Sequence, residues 1–404
     1  MTADIGARYN PFDQEFLNNP HPVYSKIHQE APVCWSDAFE SWLVTRYDDV
    51  VGAVEDPVFS SHSKTGPMPP MEVLEELAAG FPMTEMLYGT DPPEHTRLRA
   101  LIQNAMSSDL LAAFGPRMKQ LAEGVIASFA ADGRADLYER YVHPLTDGAI
   151  LDFVGVPAAD REQVMTWHRM WERLFIPGQE PEDLRSGTRE VVKYQHYHAK
   201  MVEYRRADPR DDLYTTIGRA RAPGHEPLTD AEIVWGLIEL IGAAGNTTYG
   251  MANVLLHVLR DEARWDRLRS DRSLVPAAVE EGMRVESPVL GCARETACPV
   301  EIGGVQLPAG APVLIAFAAA NHDGDVFGAA GEFDIDRANA GRQVTLGRGP
   351  HYCIGARVAR LMIGRAVEGL LDHIPAVRLD DGYEPEFYAP FPFLRSVARL
   401  PAHW

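Results

Sequence analysis

Residues 346–355 read LGRGPHYCIG. Glycines at 347, 349 and 355 allow tight turns and close backbone approach. Cys353 stands among them, beside His351 and Arg348. The stretch that follows, IGARVARLMIGRAVEGLLDHI, is strongly helical in its apolar spacing, so the cysteine sits just before a helix N-terminus. Backbone N–H groups there point at the sulfur, and the helix dipole favours a thiolate. A thiolate held that way is either a nucleophile or a metal ligand. A nucleophile wants a base within reach, and His351 is two residues away, where side chains of an extended loop point apart. A buried cysteine beside a helix cap is the reading without chemistry.

Three further stretches carry groups at useful spacing. In EEGMR (280–284), Glu281 and Arg284 lie at i, i+3 on a helix and can pair on one face; solvated faces show the same pattern. In DPPEHTRLRALI (91–102), His95 and Arg99 lie at i, i+4 and share a face. Together they could grip a carboxylate, or form a solvent-facing stripe. In IGAAGNTTYG (241–250), small residues and two threonines fall within a long helical segment. Small side chains there admit either a flat ligand or a close helix crossing.

The elements that must position these groups are mostly helices. VCW (33–35) and WLVT (42–45) read as a hairpin and YDDVVGAVED as a helix. Residues 62–90 look loop-rich, with a short helix in MEVLEELAAG. Helical spacing runs through 91–131, 135–155, 159–175, 186–206, 273–286 and 353–374. Thr229 and Glu232 form a capping box, and no breaker except glycine follows until about residue 262. That predicts a helix of about thirty residues, roughly 45 Å long. The β-like pieces VEIGGVQLP and PVLIAFAA give a minor sheet. No linker divides the 404 residues, so the expectation is a single domain spanning 1–404, mainly α with a minor β portion.

Composition limits the function classes. A formal net charge of −20 repels phosphate backbones and anionic membrane surfaces. The four cysteines include no C-x-x-C pair, which disfavours a common zinc site and suits a reducing cytoplasm. The first residues show no signal-peptide pattern, and apolar stretches break before the ~20 residues that span a bilayer. The expectation is a cytoplasmic protein without nucleic-acid or membrane partners.

Taken in order, the motifs resemble the cytochrome P450 superfamily, soluble bacterial type, over nearly the whole chain. LGRGPHYCIG is similar to the haem-binding loop F-G-x-G-x-H-x-C-x-G, and EEGMR contains the E-x-x-R at Glu281 and Arg284. EFDIDR (332–337) resembles the meander segment, whose Arg337 would complete a Glu–Arg–Arg cluster. ANHD (320–323) is similar to an ANRD-type stretch. The resemblance implies a single triangular domain holding haem b, with Cys353 as the iron ligand and Gly355 near the sulfur. It implies that His95, Arg99, Arg294 and His351 neutralise the propionates and that Ala243 faces the porphyrin. It also implies a monooxygenase that uses O2 as co-substrate.

The pattern departs in three places. Aligning the long helix on Thr247 puts Asn246 where the family carries an acid and Ala244 where it has a second glycine. Thr247 and that acid handle protons in the family; asparagine orients water but does not titrate, which favours water-assisted delivery through Thr247. Glu239 lies at i−8 from Thr247 on roughly the same face, where substrate-contacting residues are commonly apolar. It either meets a basic or hydrogen-bonding group of the substrate, serves as another proton source, or pairs with an arginine on an adjoining helix. Leu346 replaces the usual phenylalanine beside the thiolate.

The family's substrate-contacting regions place Met83, Met86 and Leu87 in one loop and Trp171, Leu174 and Phe175 in another. Val289, Leu290 and Gly291 follow the E-x-x-R helix, and Phe391 and Phe393 lie near the C-terminus. That lining suits a mid-sized hydrophobic or aromatic small molecule, though each residue could equally be plain core. Electrons would come from a separate ferredoxin and ferredoxin reductase fed by NAD(P)H. Arg97, Arg348, Arg357 and Arg360 offer a basic docking patch or ordinary solvated arginines. Two readings stay open beside the leading one: a peroxide-driven or otherwise atypical haem–thiolate enzyme, and a non-catalytic haem or ligand-binding protein.

Overall fold

The computed structural model describes residues 5–62, 70–175 and 180–404; part of the loop read at 62–90, and residue 176, lie outside the described residues. Helices dominate and the strands are short. Internal packing divides the chain into two compact units, one of 1–63, 119–146 and 246–404, the other of 64–118 and 147–245.

The first unit contains all the strands. Its five-stranded sheet runs in the order Val33–Ser36, Ser41–Val44, Pro312–Ile315, Cys292–Thr296, Phe59–Ser60. The hairpin expected at 33–45 is antiparallel, with Val33 opposite Val44 and Trp35 opposite Trp42. Ser41–Val44 then pairs in parallel with Pro312–Ile315. Beta-branched residues on these strands pack with Tyr47, Val50, Phe317, Phe327 and Val344 in an apolar core. Burial of this kind stabilises by about 25 cal/mol per Å² of apolar surface.

The second unit is helical: Glu94–Ala105, Arg161–Arg173, Pro181–Ala207 and the first half of the long helix. The long helix spans Asp230–Leu259, 30 residues. Its start is set by the reciprocal capping box: the Thr229 hydroxyl accepts from the Glu232 amide at 3.2 Å, and the Glu232 carboxylate accepts from the Thr229 amide at 2.7 Å. Three expected boundaries shift. The stretch 91–131 divides into Glu94–Ala105 and Ser108–Ala127, because Met106 leaves the helical conformation at ψ 51°. The stretch 186–206 extends upstream to Pro181, a residue suited to a first helical turn. The helix expected over 353–374 starts only at Ala356, because Cys353–Gly355 belong to the preceding turn.

Candidate active site

The cysteine loop is built by its own backbone. Gly347 and Gly349 take φ of +69° and +64°, the left-handed region that favours glycine. A Cβ on Gly349 would also stand 3.1 Å from the Val54 carbonyl oxygen and 3.0 Å from Glu55 Cγ. The Cys353 amide donates to the Leu346 carbonyl at 2.8 Å, and the Gly347 amide to the Val344 carbonyl at 2.8 Å. The Ala356 amide bonds back to the Cys353 carbonyl at 3.2 Å and opens helix Ala356–His373. Cys353 is therefore partly accessible at a helix N-terminus. A Cβ on Gly355 would stand 3.9 Å from the sulfur, an ordinary contact distance, which places Gly355 beside it. Cys34 shows the opposite arrangement: it sits in an apolar core, and burial pushes its thiol up to about 11.

This loop fits a haem. It offers a partly accessible sulfur with a glycine beside it and a positive helix end. His351 places Nε2 3.0 Å from the Ser61 hydroxyl. Arg294 lies on strand Cys292–Thr296, opposite Val313, buried and donating to the Ala293 carbonyl at 2.8 Å. In the helical unit, His95 and Arg99 share one face of Glu94–Ala105; His95 is buried and Arg99 half-buried.

The long helix changes character at its middle. Ile233–Ile238 and Met251–Leu256 are buried, whereas Gly242–Thr247 are partly accessible and Ala243 is exposed. The two readings of its small residues apply to different positions. Gly242 is a close crossing, since its Cβ would meet the His168 ring at 3.1 Å. Gly245 faces open space. Asn246 and Thr247 are part of this accessible stretch.

Glu239 sits one turn before Ala243. Its carboxylate accepts from the Leu87 amide at 3.2 Å and the Tyr88 amide at 3.4 Å. Burial pushes its carboxyl up to about 7, although both amides pull it down. The arginine partner considered for it is not found among the described residues. Trp171 stacks near Trp235 and Phe175, at centroid distances of 4.9 and 4.6 Å. Trp171 and Leu174 are buried there, and Leu87 is buried in its turn, whereas Met86 is partly accessible.

The E-x-x-R pair meets its third member in the first unit. Glu281 accepts from Arg284 at 2.7 and 2.8 Å and from Arg337 at 2.8 Å, and from the Asp334 amide at 3.0 Å. Glu281 and Arg284 are fully buried. Arg284 also donates to the carbonyls of Asn321, Ala330 and Glu332, and Arg337 to those of Gly328, Ala329 and Glu332. The cluster therefore fastens 328–337 to helix Val275–Val285. A second buried cluster has no sequence signature: Glu286 bonds His257 and Arg395, while Asn253 bonds the Glu286 and Arg395 carbonyls and the Val397 amide. Arg395 and Val397 come to it from more than a hundred residues away.

Several expected lining residues do other work. Leu290 is 1% exposed in the core with Tyr9, Leu43 and Leu314, its amide donating to the Phe393 carbonyl and its carbonyl accepting from the Ala318 amide. Gly291 is required by strand approach, because a Cβ would meet the Ile315 carbonyl at 2.3 Å. Val289 bridges Leu394, and Phe393 stacks on Phe39 at 5.6 Å, with Phe391 exposed. Of the expected docking arginines, Arg360 is bidentate to Glu280 and donates to Tyr352, Arg348 donates to Tyr47, and Arg97 pairs with Glu94 and Glu232. Arg357 is exposed.

A glycine-turned thiolate loop backed by a buried Glu–Arg–Arg cluster, on a mainly helical scaffold, defines the haem–thiolate class. The cytochrome P450 family model matches residues 181–374. The chain is 32% identical to cytochrome P450 monooxygenase PikC of Streptomyces venezuelae, over 99% of this chain and 94% of that one. It is 31% identical to Vitamin D(3) 25-hydroxylase of Pseudonocardia autotrophica, over 99% and 98%. The Tepidiphilus thermophilus P450 heme domain matches with a TM-score of 0.87 at 27% identity, covering 99% of this chain and 97% of that one. The chain belongs to the cytochrome P450 family. It is a monooxygenase-type oxidoreductase that uses haem iron and O2 on small molecules, with electrons from redox partners. Among the described residues no helix is long and apolar enough to cross a membrane.

Proposed function

We propose that this enzyme is a single-domain, cytoplasmic haem b monooxygenase that hydroxylates a mid-sized hydrophobic or aromatic small molecule. Electrons reach it from a ferredoxin and its reductase. The observation that carries the reading is the Cys353 loop, whose glycine turns and helix end fit a thiolate ligand. Cys353 would hold the iron; His95, Arg99, Arg294 and His351 would neutralise the propionates, whose buried charge is otherwise costly. Bound haem b would supply the chemistry that cleaves O2 and inserts one oxygen atom into a carbon–hydrogen bond. The Thr247 hydroxyl would hold and pass a proton through a water that the Asn246 amide orients, since asparagine does not itself titrate.

The substrate class is supported by the Trp171–Trp235–Phe175 cluster, together with Met86, Leu87 and Leu174. It is also supported by a relative whose name specifies vitamin D(3), and by a Bacillus megaterium structure containing corticosterone. Arg357 is the docking arginine left exposed, so a Glu there would slow electron transfer, more so at low salt. Titrating the iron spin state with a panel of steroids and aromatic small molecules tests the class: a shift with micromolar compounds is expected, and a panel without any shift contradicts it. Asn246 favours one second reading, peroxide-driven turnover. Faster product formation with hydrogen peroxide than with reduced ferredoxin would establish that route.

A further inference from the structure

The segment 81–90 precedes helix Glu94–Ala105 and has little regular structure beyond the turn Leu87–Gly89. It is fastened by side chains reaching its backbone. Gln195 makes two bonds to Phe81, accepting from its amide at 3.1 Å and donating to its carbonyl at 3.2 Å. The Trp235 indole donates to the Pro82 carbonyl at 2.8 Å. The turn closes on itself through the Thr90 hydroxyl and the Gly89 amide, both donating to the Met86 carbonyl. Its first amides, at Leu87 and Tyr88, are taken by Glu239. Trp235 and Glu239 lie at i, i+4, so one stripe of the long helix holds both ends of the segment. Continuing along that stripe leads to Gly242 and Ala243, where the helix becomes accessible.

The fastenings differ in kind. Gln195 and Trp235 are neutral, and Glu239 is the titratable one. A charge set deep in a protein without a cation costs stability. Among the described residues, Glu239 is bonded to amides and to no basic side chain. Glutamine or leucine would fill the same place at less cost to the fold. The two oxygens of a carboxylate accept both amides at once; an amide or a protonated carboxyl accepts one well.

We propose that Glu239 is a positioning residue whose carboxylate caps the Leu87–Gly89 turn from the long helix and thereby fixes the substrate-contacting loop at its end nearest Ala243. This rests on the reading of 81–90 as a substrate loop. Tyr88, largely exposed in accessible surface, is the titratable side chain coupled to it: desolvation first and then the Glu239 charge raise its phenol. With the carboxyl at about 7, the double bond to the turn is complete above that pH and weakens as pH falls through it.

The test is amide hydrogen exchange on the haem-loaded full chain, corrected for intrinsic rates, with the rate of imidazole entry to the iron measured in parallel. In the wild type, protection at Leu87 and Tyr88 should fall as pH drops through about 7. Glu239→Leu should lose about ten-fold protection there above that pH, with Phe81 unchanged, and should admit imidazole faster. Glu239→Gln should lie between the two and show no pH step. Unchanged protection at Leu87 and Tyr88 in Glu239→Leu would overturn the proposal. So would altered protection with unaltered imidazole entry. Exchange at Leu87 and Tyr88 reads the turn and the thiolate-ligated spectrum reads the haem, so loss of that spectrum with the Glu239-dependent protection intact would sink the functional reading alone.

Discussion

Glu281 and Glu239 are both carboxylates on helices, the first fully buried and the second partly accessible, and their surroundings differ in kind. Glu281 meets two guanidinium groups and a backbone amide, and its partners in turn hold five carbonyls of 321–332. Glu239 meets two amides and no cation among the described residues. The first arrangement compensates its charge and gains a rigid scaffold behind the cysteine loop. The second leaves charge uncompensated beside the most accessible part of the long helix. Compensated burial marks structure; a carboxylate without a cation beside an accessible stretch of helix points to function.

Breaking the compensated cluster should have the largest effect. Glu281→Ala leaves Arg284 buried without its counter-ion, at a cost of about 3–5 kcal/mol. Thermal unfolding and haem content should both fall sharply; a variant that unfolds at the wild-type temperature would erase the distinction. The uncompensated site should respond in the opposite direction. The Glu239 carboxyl is raised from 4.5 to about 7 in the fold. A raised folded value means its contribution is fully present below the ordinary carboxylate range and is lost as pH rises through about 7. The wild type should therefore lose on the order of 2 kcal/mol between about pH 5 and about pH 8 through this group. Denaturant unfolding should show that slope flattened in Glu239→Gln. An unaltered slope would place the titration elsewhere.

Arg360 sharpens the comparison at its mild end. Its pair with Glu280 is only half-buried, so Arg360→Ala should cost about 1 kcal/mol or less and leave the thiolate-ligated spectrum unchanged. A loss of haem in that variant would show that the surface pair, too, belongs to the scaffold.

These sites differ in how far the sequence discloses them. The cysteine loop is legible because its geometry is local: glycines with positive φ, a cysteine and a helix start fall within ten residues. Glu281 and Arg284 are legible from i, i+3 spacing, and Arg337 from the segment EFDIDR. Glu286, His257 and Arg395 are not, because their pairings span 29 and 109 residues, beyond any helical spacing, and use common residue types. Glu239 is legible as an odd charge in an apolar stripe, but its partners are backbone amides, which no residue type announces. Leu290 is held in the core by backbone bonds to Phe393 and Ala318, partners distant in sequence that no local pattern announces. The small residues of the long helix carry two roles that spacing cannot separate, contact at Gly242 and openness at Gly245.

The most direct test reads the bond between the Cys353 sulfur and iron. Purified protein is reduced, exposed to carbon monoxide, and its Soret band compared with that of Cys353→His. The wild type should show the long-wavelength band of a thiolate ligand, and the variant should lose it while keeping its helical content. A wild-type preparation that takes up no haem, or that gives the band of a nitrogen-ligated iron, would contradict the account.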